Sequence, residues 1–229
     1  MREKRQIELV VASRNQKKVE EIKEILKRSN LKITSLRDYP RPPFIAENGK
    51  TFRDNAIKKA IRIARFTKKL TLGEDSGLEV NALGGKPGIY SSRFSGKDKS
   101  DFKNNLKLLR LLGNLPLSKR KARYVCSVAL ADKDGLLGVV EGSCSGLIGF
   151  KMRGSFGFGY DPLFIPHLSE FPKGFIKRKG VGFIIPKYKK TFAQLGPAIK
   201  HKMSHRFHAL LKARRIIRAY LTGKILTKN

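Results

Sequence analysis

Apolar positions along this chain change period often enough to mark out its elements. Residues 7–12 form an apolar-rich run of strand length, and over residues 16–28 Val19, Ile22, Ile25 and Leu26 return at helical spacing. The intervening Ser13-Arg14-Asn15 is then a strand-to-helix turn, where free N–H groups and the helix dipole favour an anion. Thr51 with Asp54 reads as a capping box, opening a helix with Phe52, Ala56, Ala60 and Ile63 on one face. The pattern predicts a short strand at 70–72, a buried helix at 104–112 and a strand at 123–131. Asp132-Lys133-Asp134-Gly135 predicts a hairpin turn into 136–141, with 143–150 as one more strand. A last helix from about Ser204 is expected to bury Phe207, Leu210, Leu211, Ile217, Tyr220 and Leu221. Helices alternating with strands, and a hairpin in the second half, predict an α/β fold with a mixed sheet. No internal repeat breaks this order.

Composition narrows the class. With 229 residues, 40% of them hydrophobic, the chain suits one domain spanning 1–229 with a sizeable core. Cys126 and Cys144 lie in apolar stretches without metal-ligand spacing, the pattern of a reduced intracellular protein. No apolar run approaches the ~18 residues that span a bilayer, and the opening residues are too short an apolar run for a signal peptide. A cytoplasmic protein without membrane association is therefore expected.

Charge adds a second theme. The chain carries 50 Lys and Arg against 18 Asp and Glu, a net charge of +32. Residues 151–229 alone hold 18 basic side chains against 2 acidic ones. Such a field attracts polyanions and speeds their association, so nucleic acid or another polyanion is a candidate partner.

Five places could carry chemistry. Glu74-Asp75-Ser76-Gly77 reads as a carboxylate pair at a strand end, followed by the glycine-rich Gly84-Gly85-Lys86-Pro87-Gly88. Carboxylates hold Mg²⁺ when phosphates supply the rest of its octahedron, and glycines let backbone N–H groups approach phosphate oxygens. Glu47, in a proline-rich loop, is a third carboxylate candidate. At the first turn, Ser13, Asn15 and Lys18 offer a hydroxyl, an amide and an ammonium for phosphates, without the glycines of a Walker loop. In Gly157-Phe158-Gly159-Tyr160-Asp161-Pro162, glycines alternate with aromatics, leaving a ring face open to a flat ligand and Asp161 at its edge. Lys200 and Ser204-His205-Arg206 bring donors to a helix start; such donors can read purine O6 and N7. A solvated turn, a loop acid or a simple helix cap would account for each of these alone.

In this order, the motifs resemble the inosine/xanthosine triphosphate pyrophosphatase family. The stretches that carry the resemblance are Ser13-Arg14-Asn15…Lys18, Glu47…Thr51-Phe52…Asn55-Ala56…Lys59-Ala60, Glu74-Asp75-Ser76-Gly77, Gly84-Gly85…Pro87-Gly88-Ile89-Tyr90-Ser91, Gly157 to Pro162, Lys190-Thr191-Phe192-Ala193 and Ser204-His205-Arg206. The resemblance implies an elongated mixed sheet flanked by helices, with two lobes around a central substrate cleft, and a homodimer. It implies hydrolysis of non-standard purine nucleoside triphosphates (ITP, dITP, XTP) to the monophosphate and pyrophosphate, with Mg²⁺ as cofactor and Mn²⁺ as the alternative. By position, Glu47, Glu74 and Asp75 would hold the metal, and Asp75 would also activate the attacking water. Ser13, Asn15, Lys18 and Ser76 would bind the phosphates. Phe158 would stack on the base, with Gly159, Tyr160, Asp161, Lys200, His205 and Arg206 completing its pocket.

Departures from the family pattern suggest further expectations. Arg14 stands where the family usually has glycine, and Gly196-Pro197-Ala198-Ile199 replaces an acidic helical stretch before Lys200. A basic insertion at about 167–187 suggests an added polyanion or oligomer contact. Two other readings stay open at this stage: a nucleic-acid-binding protein on the same fold with altered catalysis, and a pyrophosphatase for other modified nucleotides.

Overall fold

The computed structural model describes residues 6–172 and 190–223. Most of the basic insertion expected at 167–187 lies outside them. Six strands form one sheet: β1 (Ile7–Val11), β2 (Leu31–Ser35), β3 (Leu70–Val80), β4 (Lys121–Asp132), β5 (Gly135–Ile148) and β6 (Phe164–Pro166). Their order is β2-β1-β3-β4-β5-β6. β1 pairs parallel with β2 and with β3, while β5 and β6 run antiparallel, so the sheet is mixed as expected. The helices among the described residues are α1 (Gln16–Leu26), α2 (Phe52–Thr67), α3 (Asp101–Leu112), α4 (Phe192–Leu195), α5 (Pro197–Lys200) and α6 (His205–Leu221).

The chain divides into two compact units. The first holds the described residues up to Asp75, Cys126–Gly142 and those from His208 onward; the second holds Ser76–Val125 and Ser143–Phe207.

In the first unit, Leu9, Val10 and Val11 of β1 are fully buried, as are Ile22 and Leu26 of α1. The predicted capping box is formed: Thr51 Oγ1 accepts from Asp54 N, and Asp54 Oδ2 accepts from Thr51 N, both at 3.0 Å. Ala56, Ala60, Ile63 and Ala64 of α2 are buried without exposure. Small residues on this face let α2 lie close to β3. A Cβ at Gly73 would stand 2.1 Å from Ala56 O and 2.5 Å from Ala60 N, which no side chain can occupy. That contact brings Asn55 and Lys59 of α2 beside the residue two positions beyond Gly73. From α6, Ala209, Leu210, Ala213 and Ile217 are buried. Of the others expected to be buried, Leu211 is exposed because it falls outside the stripe that those four residues define, Leu221 is exposed at the last residue of the helix, and Phe207 and Tyr220 are half-buried.

The second unit has its own core, built from Leu78 and Val80 of β3, Leu108 and Leu112 of α3, and an aromatic group of Tyr124, Phe164 and Phe192. The fully buried Arg120 donates to the carbonyls of Leu115, Gly149 and Gly113, and its guanidinium lies over Phe150.

Three sequence expectations need correction. The carboxylate pair does not end a short strand, because β3 continues through Glu74-Asp75 to Val80. The two strands expected at 136–141 and 143–150 are one, β5, continuous through Gly142 and Ser143. The hairpin turn before it is as expected, with Asp132 Oδ1 accepting from the N–H groups of Asp134 and Gly135. Helix α3 is not buried all round: Leu106 is 45% and Leu111 47% exposed, and the buried stripe includes Asn104 and Asn105. Both cysteines are buried thiols outside any disulfide.

A polar cluster ties β1 and β2 to the segments that follow β2 and α2. Glu8 accepts from Thr34 Oγ1 at 2.9 Å, Tyr39 OH at 2.6 Å and Lys69 Nζ at 2.7 Å. Burial alone would raise its carboxyl, but Lys69, Tyr39 and Thr34 outweigh that and bring it from about 4.5 down to about 2. The unfolded chain therefore binds the proton first as pH falls, so this stability is present above about pH 4.5 and is lost towards pH 2. Urea unfolding of Glu8→Gln should show a deficit against the parent that is full at pH 7 and closes as pH approaches 2. A pH-independent deficit would mean that the carboxylate charge is not what stabilises this corner.

Candidate active site

A strand that runs through Glu74-Asp75 places two carboxylates in the interior, 2% and 7% exposed. Interior carboxylates need partners, since an unpaired buried charge is very costly. Each has found them. Asp75 accepts from Lys59 Nζ at Oδ1 (3.1 Å) and from Asn55 Nδ2 at Oδ2 (3.0 Å). Lys59 also pairs with Glu47 Oε1 at 2.6 Å and donates to the carbonyl of Glu74 at 3.1 Å. Burial would push the Lys59 amine down, but the charges of Asp75 and Glu47 outweigh it and hold the ammonium above its ordinary value. Asn55 is itself held, because its Oδ1 accepts from Gly49 N at 2.8 Å. One amide thus joins the proline-rich loop to the Asp75 carboxylate.

Glu74 turns to different partners. Its Oε2 pairs with Lys18 Nζ at 2.9 Å and its Oε1 accepts from the buried Cys126 thiol at 3.4 Å. Lys18 comes from the first turn of α1, where Asn15 caps the helix by accepting from Lys18 N, and Ser13 Oγ accepts from Asn15 N. The expected strand-to-helix turn is therefore formed, with Lys18 aimed at the carboxylate strand. Arg14 instead reaches the carbonyl of Pro42 at 3.3 Å.

The donor set suits a hard cation, being carboxylate oxygens only. Glu47 and Asp75 already face one cation, the Lys59 ammonium. Among the described residues, no three His, Cys, Asp or Glu side chains meet closely enough to cage a metal. Glu47 and Asp75 converge on Lys59 while Glu74 turns to Lys18, so of the three expected ligands two share one point; Mg²⁺ is commonly held by one or two carboxylates with phosphates completing its shell.

In the second unit a separate cluster forms around Asp161, which is 1% exposed. Its Oδ2 accepts from Lys200 Nζ at 2.6 Å and from Phe158 N at 2.9 Å, and its Oδ1 accepts from Tyr124 OH at 3.3 Å. Burial, then the Asp161 charge, push the Tyr124 phenol well above its ordinary value, so it stays a donor. Gly157 is required here, since a Cβ would stand 2.0 Å from Asp161 Oδ2 and the residue has φ +82°. The half-buried Phe158 ring has Lys200 Nζ 4.7 Å and Arg206 Cζ 5.8 Å from its centroid. His205 stacks on Tyr124, with 4.6 Å between centroids and 12° between planes. Arg206 Nη2 donates to Ser76 Oγ at 3.0 Å.

The first cluster therefore contains Lys18, Glu47, Glu74 and Asp75, and the second Ser76, Phe158, Asp161, Lys200, His205 and Arg206. Tyr160 belongs to the core, its hydroxyl donating to Ser91 O at 2.8 Å. Gly159 supplies a left-handed turn at φ +63°. Lys59 and Asn55 stand in the stretches that carry the resemblance but have no role assigned there, Cys126 reads only as a reduced cysteine, and Tyr124 is not singled out. Lys59 and Asn55 had a legible signal, because they flank Ala56 and Ala60 on the face that meets β3. Cys126 and Tyr124 had none.

A model of the Ham1 family matches residues 9–216. The dITP/XTP pyrophosphatase of Desulforamulus reducens is 44% identical over 220 residues, 96% of this chain and 100% of that protein. The dITP/XTP pyrophosphatase of Geobacillus kaustophilus is 40% identical over 205 residues, 90% of this chain and 91% of that one. Among solved structures, a HAM1 protein from Coxiella burnetii matches with a TM-score of 0.75 at 32% identity, covering 93% of this chain and 98% of its own. The Staphylococcus aureus Ham1 protein matches with a TM-score of 0.72 at 36% identity, covering 95% and 99%. Fold, motif order and near-complete coverage agree: this chain belongs to the Ham1 family.

Proposed function

We propose that the chain hydrolyses the non-standard purine nucleoside triphosphates ITP, dITP and XTP to the monophosphate and pyrophosphate, clearing them from the nucleotide pool. The names of the relatives support the reaction. The observation that carries it in this chain is the Asp75 carboxylate, buried and fixed at both oxygens by Lys59 and Asn55.

In this reading Glu47 and Asp75 would hold Mg²⁺, or Mn²⁺ in its place, while Glu74, the third expected ligand, faces Lys18 in this structure. When bound, such an ion neutralises charge building on the phosphate oxygens. Asp75 orients the water that attacks the α-phosphorus and accepts its proton. Lys18, Ser13, Asn15 and Ser76 bind the phosphates, the lysine meeting charge that develops on departing pyrophosphate. Phe158 stacks on the base, a contact of about 1–3 kcal/mol. His205, Arg206 and Lys200 offer donors to its edge. Hypoxanthine and xanthine present an acceptor O6 there, whereas adenine presents an amine, which would face like donors when buried. Asp161 holds Lys200 and the Phe158 backbone in place for this recognition. The homodimer and the cytoplasmic location belong to the same reading; among the described residues no helix is long and apolar enough to cross a membrane.

Pyrophosphate release with Mg²⁺ should favour ITP, dITP and XTP over ATP by at least about 100-fold. Equal rates with ATP and CTP would remove the purine-edge argument and favour a pyrophosphatase of other nucleotides. Silence across the panel would favour the altered binding protein. Asp75→Asn should lower kcat by about 100-fold or more while circular dichroism still reports a folded chain. A near-normal rate refutes Asp75 as the base.

The charge supports an additional, weaker contact with polyanions. On the outer face of α2, Lys58, Arg62 and Arg65 line a shallow groove around Ile61, and both arginines are exposed. Arg62→Ser with Arg65→Ser should lower the salt dependence of duplex-DNA binding by about two in the log–log slope. An unchanged slope removes this face from the reading.

A further inference from the structure

The loop that carries Phe158 is held from an unexpected direction. Gly159, with φ +63°, stands between Phe158 and Tyr160, and a Cβ there would meet nothing within 4 Å. Glycine is thus required for the backbone angle and not for space. A left-handed residue in a loop has no ladder to satisfy its backbone groups. Here both are taken by side chains of α3. Gly159 N donates to Asp101 Oδ2 at 2.8 Å, and Gly159 O accepts from Asn105 Nδ2 at 2.8 Å. Asp101 and Asn105 are one turn apart on the helix, so they face the same way. Asn105 is 2% exposed, and its Nδ2 also donates to Asp101 O at 2.7 Å. Both neighbours of that nitrogen are carbonyl oxygens, which fixes the orientation of the amide. On the other side of Phe158, its own N–H is held by Asp161.

We propose that Asp101 and Asn105 are positioning residues for the nucleobase, holding the Gly159 backbone and through it the plane of the Phe158 ring. The proposal rests on the reading that Phe158 stacks on the base. Nothing in the charge or bulk of Asp101 or Asn105 touches the substrate in this scheme; what matters is that one accepts and the other donates. The two isosteric exchanges therefore have opposite outcomes. Asp101→Asn still presents an oxygen to Gly159 N. Asn105→Asp presents a carboxylate to two carbonyls and loses the donor.

The test is steady-state hydrolysis of ITP by the full chain. Asp101→Ala should raise KM about tenfold with kcat within about twofold of the parent, the size expected for one lost hydrogen bond to a charged group. Asp101→Asn should restore most of that loss, whereas Asn105→Asp should raise KM as much as Asp101→Ala or more. Should Asn105→Asp not fold, a double-mutant cycle on the exposed Asp101 decides the matter. In a Phe158→Ala background, Asp101→Ala should add no further rise in KM, because it acts only through that ring. An additive effect would overturn the proposal, as would an unchanged KM for Asp101→Ala when Phe158→Ala alone raises it. If Phe158→Ala itself leaves KM untouched, it is the stacking reading that fails, and the two failures are thereby distinguished.

Discussion

Two adjacent carboxylates carried into the interior are the constraint on which much of this molecule depends. β3 carries Glu74 and Asp75 into the interior, where either one alone would be costly by several kcal/mol. The fold answers with two lysines from two helices, Lys18 on α1 and Lys59 on α2, and with two neutral donors, Asn55 and Cys126. Lys59 and Asn55 reach the strand because α2 approaches it across Gly73, Ala56 and Ala60. Packing and electrostatics are therefore one problem here: the small residues serve close approach, and close approach serves the charges.

The second unit repeats the logic with different parts. Asp161 is buried, and its oxygens are occupied by an ammonium, a phenol and a backbone N–H. In that role it organises the site instead of presenting a free edge. Lys200 is held over Phe158 by it, and Tyr124 joins it to the stacked His205. The negative π face of Phe158 attracts both cations, which keeps two sets of donors beside the ring. The Gly159 contacts with α3 extend the same preorganisation to the backbone that bears the ring.

Much of the fold was legible because local rules and tertiary packing agreed. The 3.6 period of α1, the Thr51–Asp54 capping box and the Asp132–Gly135 turn are short-range statements, and all three hold. The expectations that failed concern long-range context. A reader of residues 70–80 stops the strand at the carboxylates because charged residues usually mark its end. Only knowledge that Lys18 and Lys59 will arrive permits it to continue. Likewise Leu106 and Leu211 are apolar by type, but helical phase relative to the buried stripe turns both outward.

The same division separates what each level settles about the chemistry. Residue types and their order along the chain determined the α/β class, the resemblance to the inosine/xanthosine triphosphate pyrophosphatase family, and most side chains in the two clusters, because those choices are written in local sequence. Which oxygen meets which donor was not written there. That Glu47 and Asp75 share Lys59, that Glu74 turns instead to Lys18 and Cys126, and that Asn105 reaches across 54 positions to Gly159, are decided by tertiary structure. The physical reason is that hydrogen-bond geometry depends on the approach of elements distant in sequence, and that approach is set by the volumes packed between them.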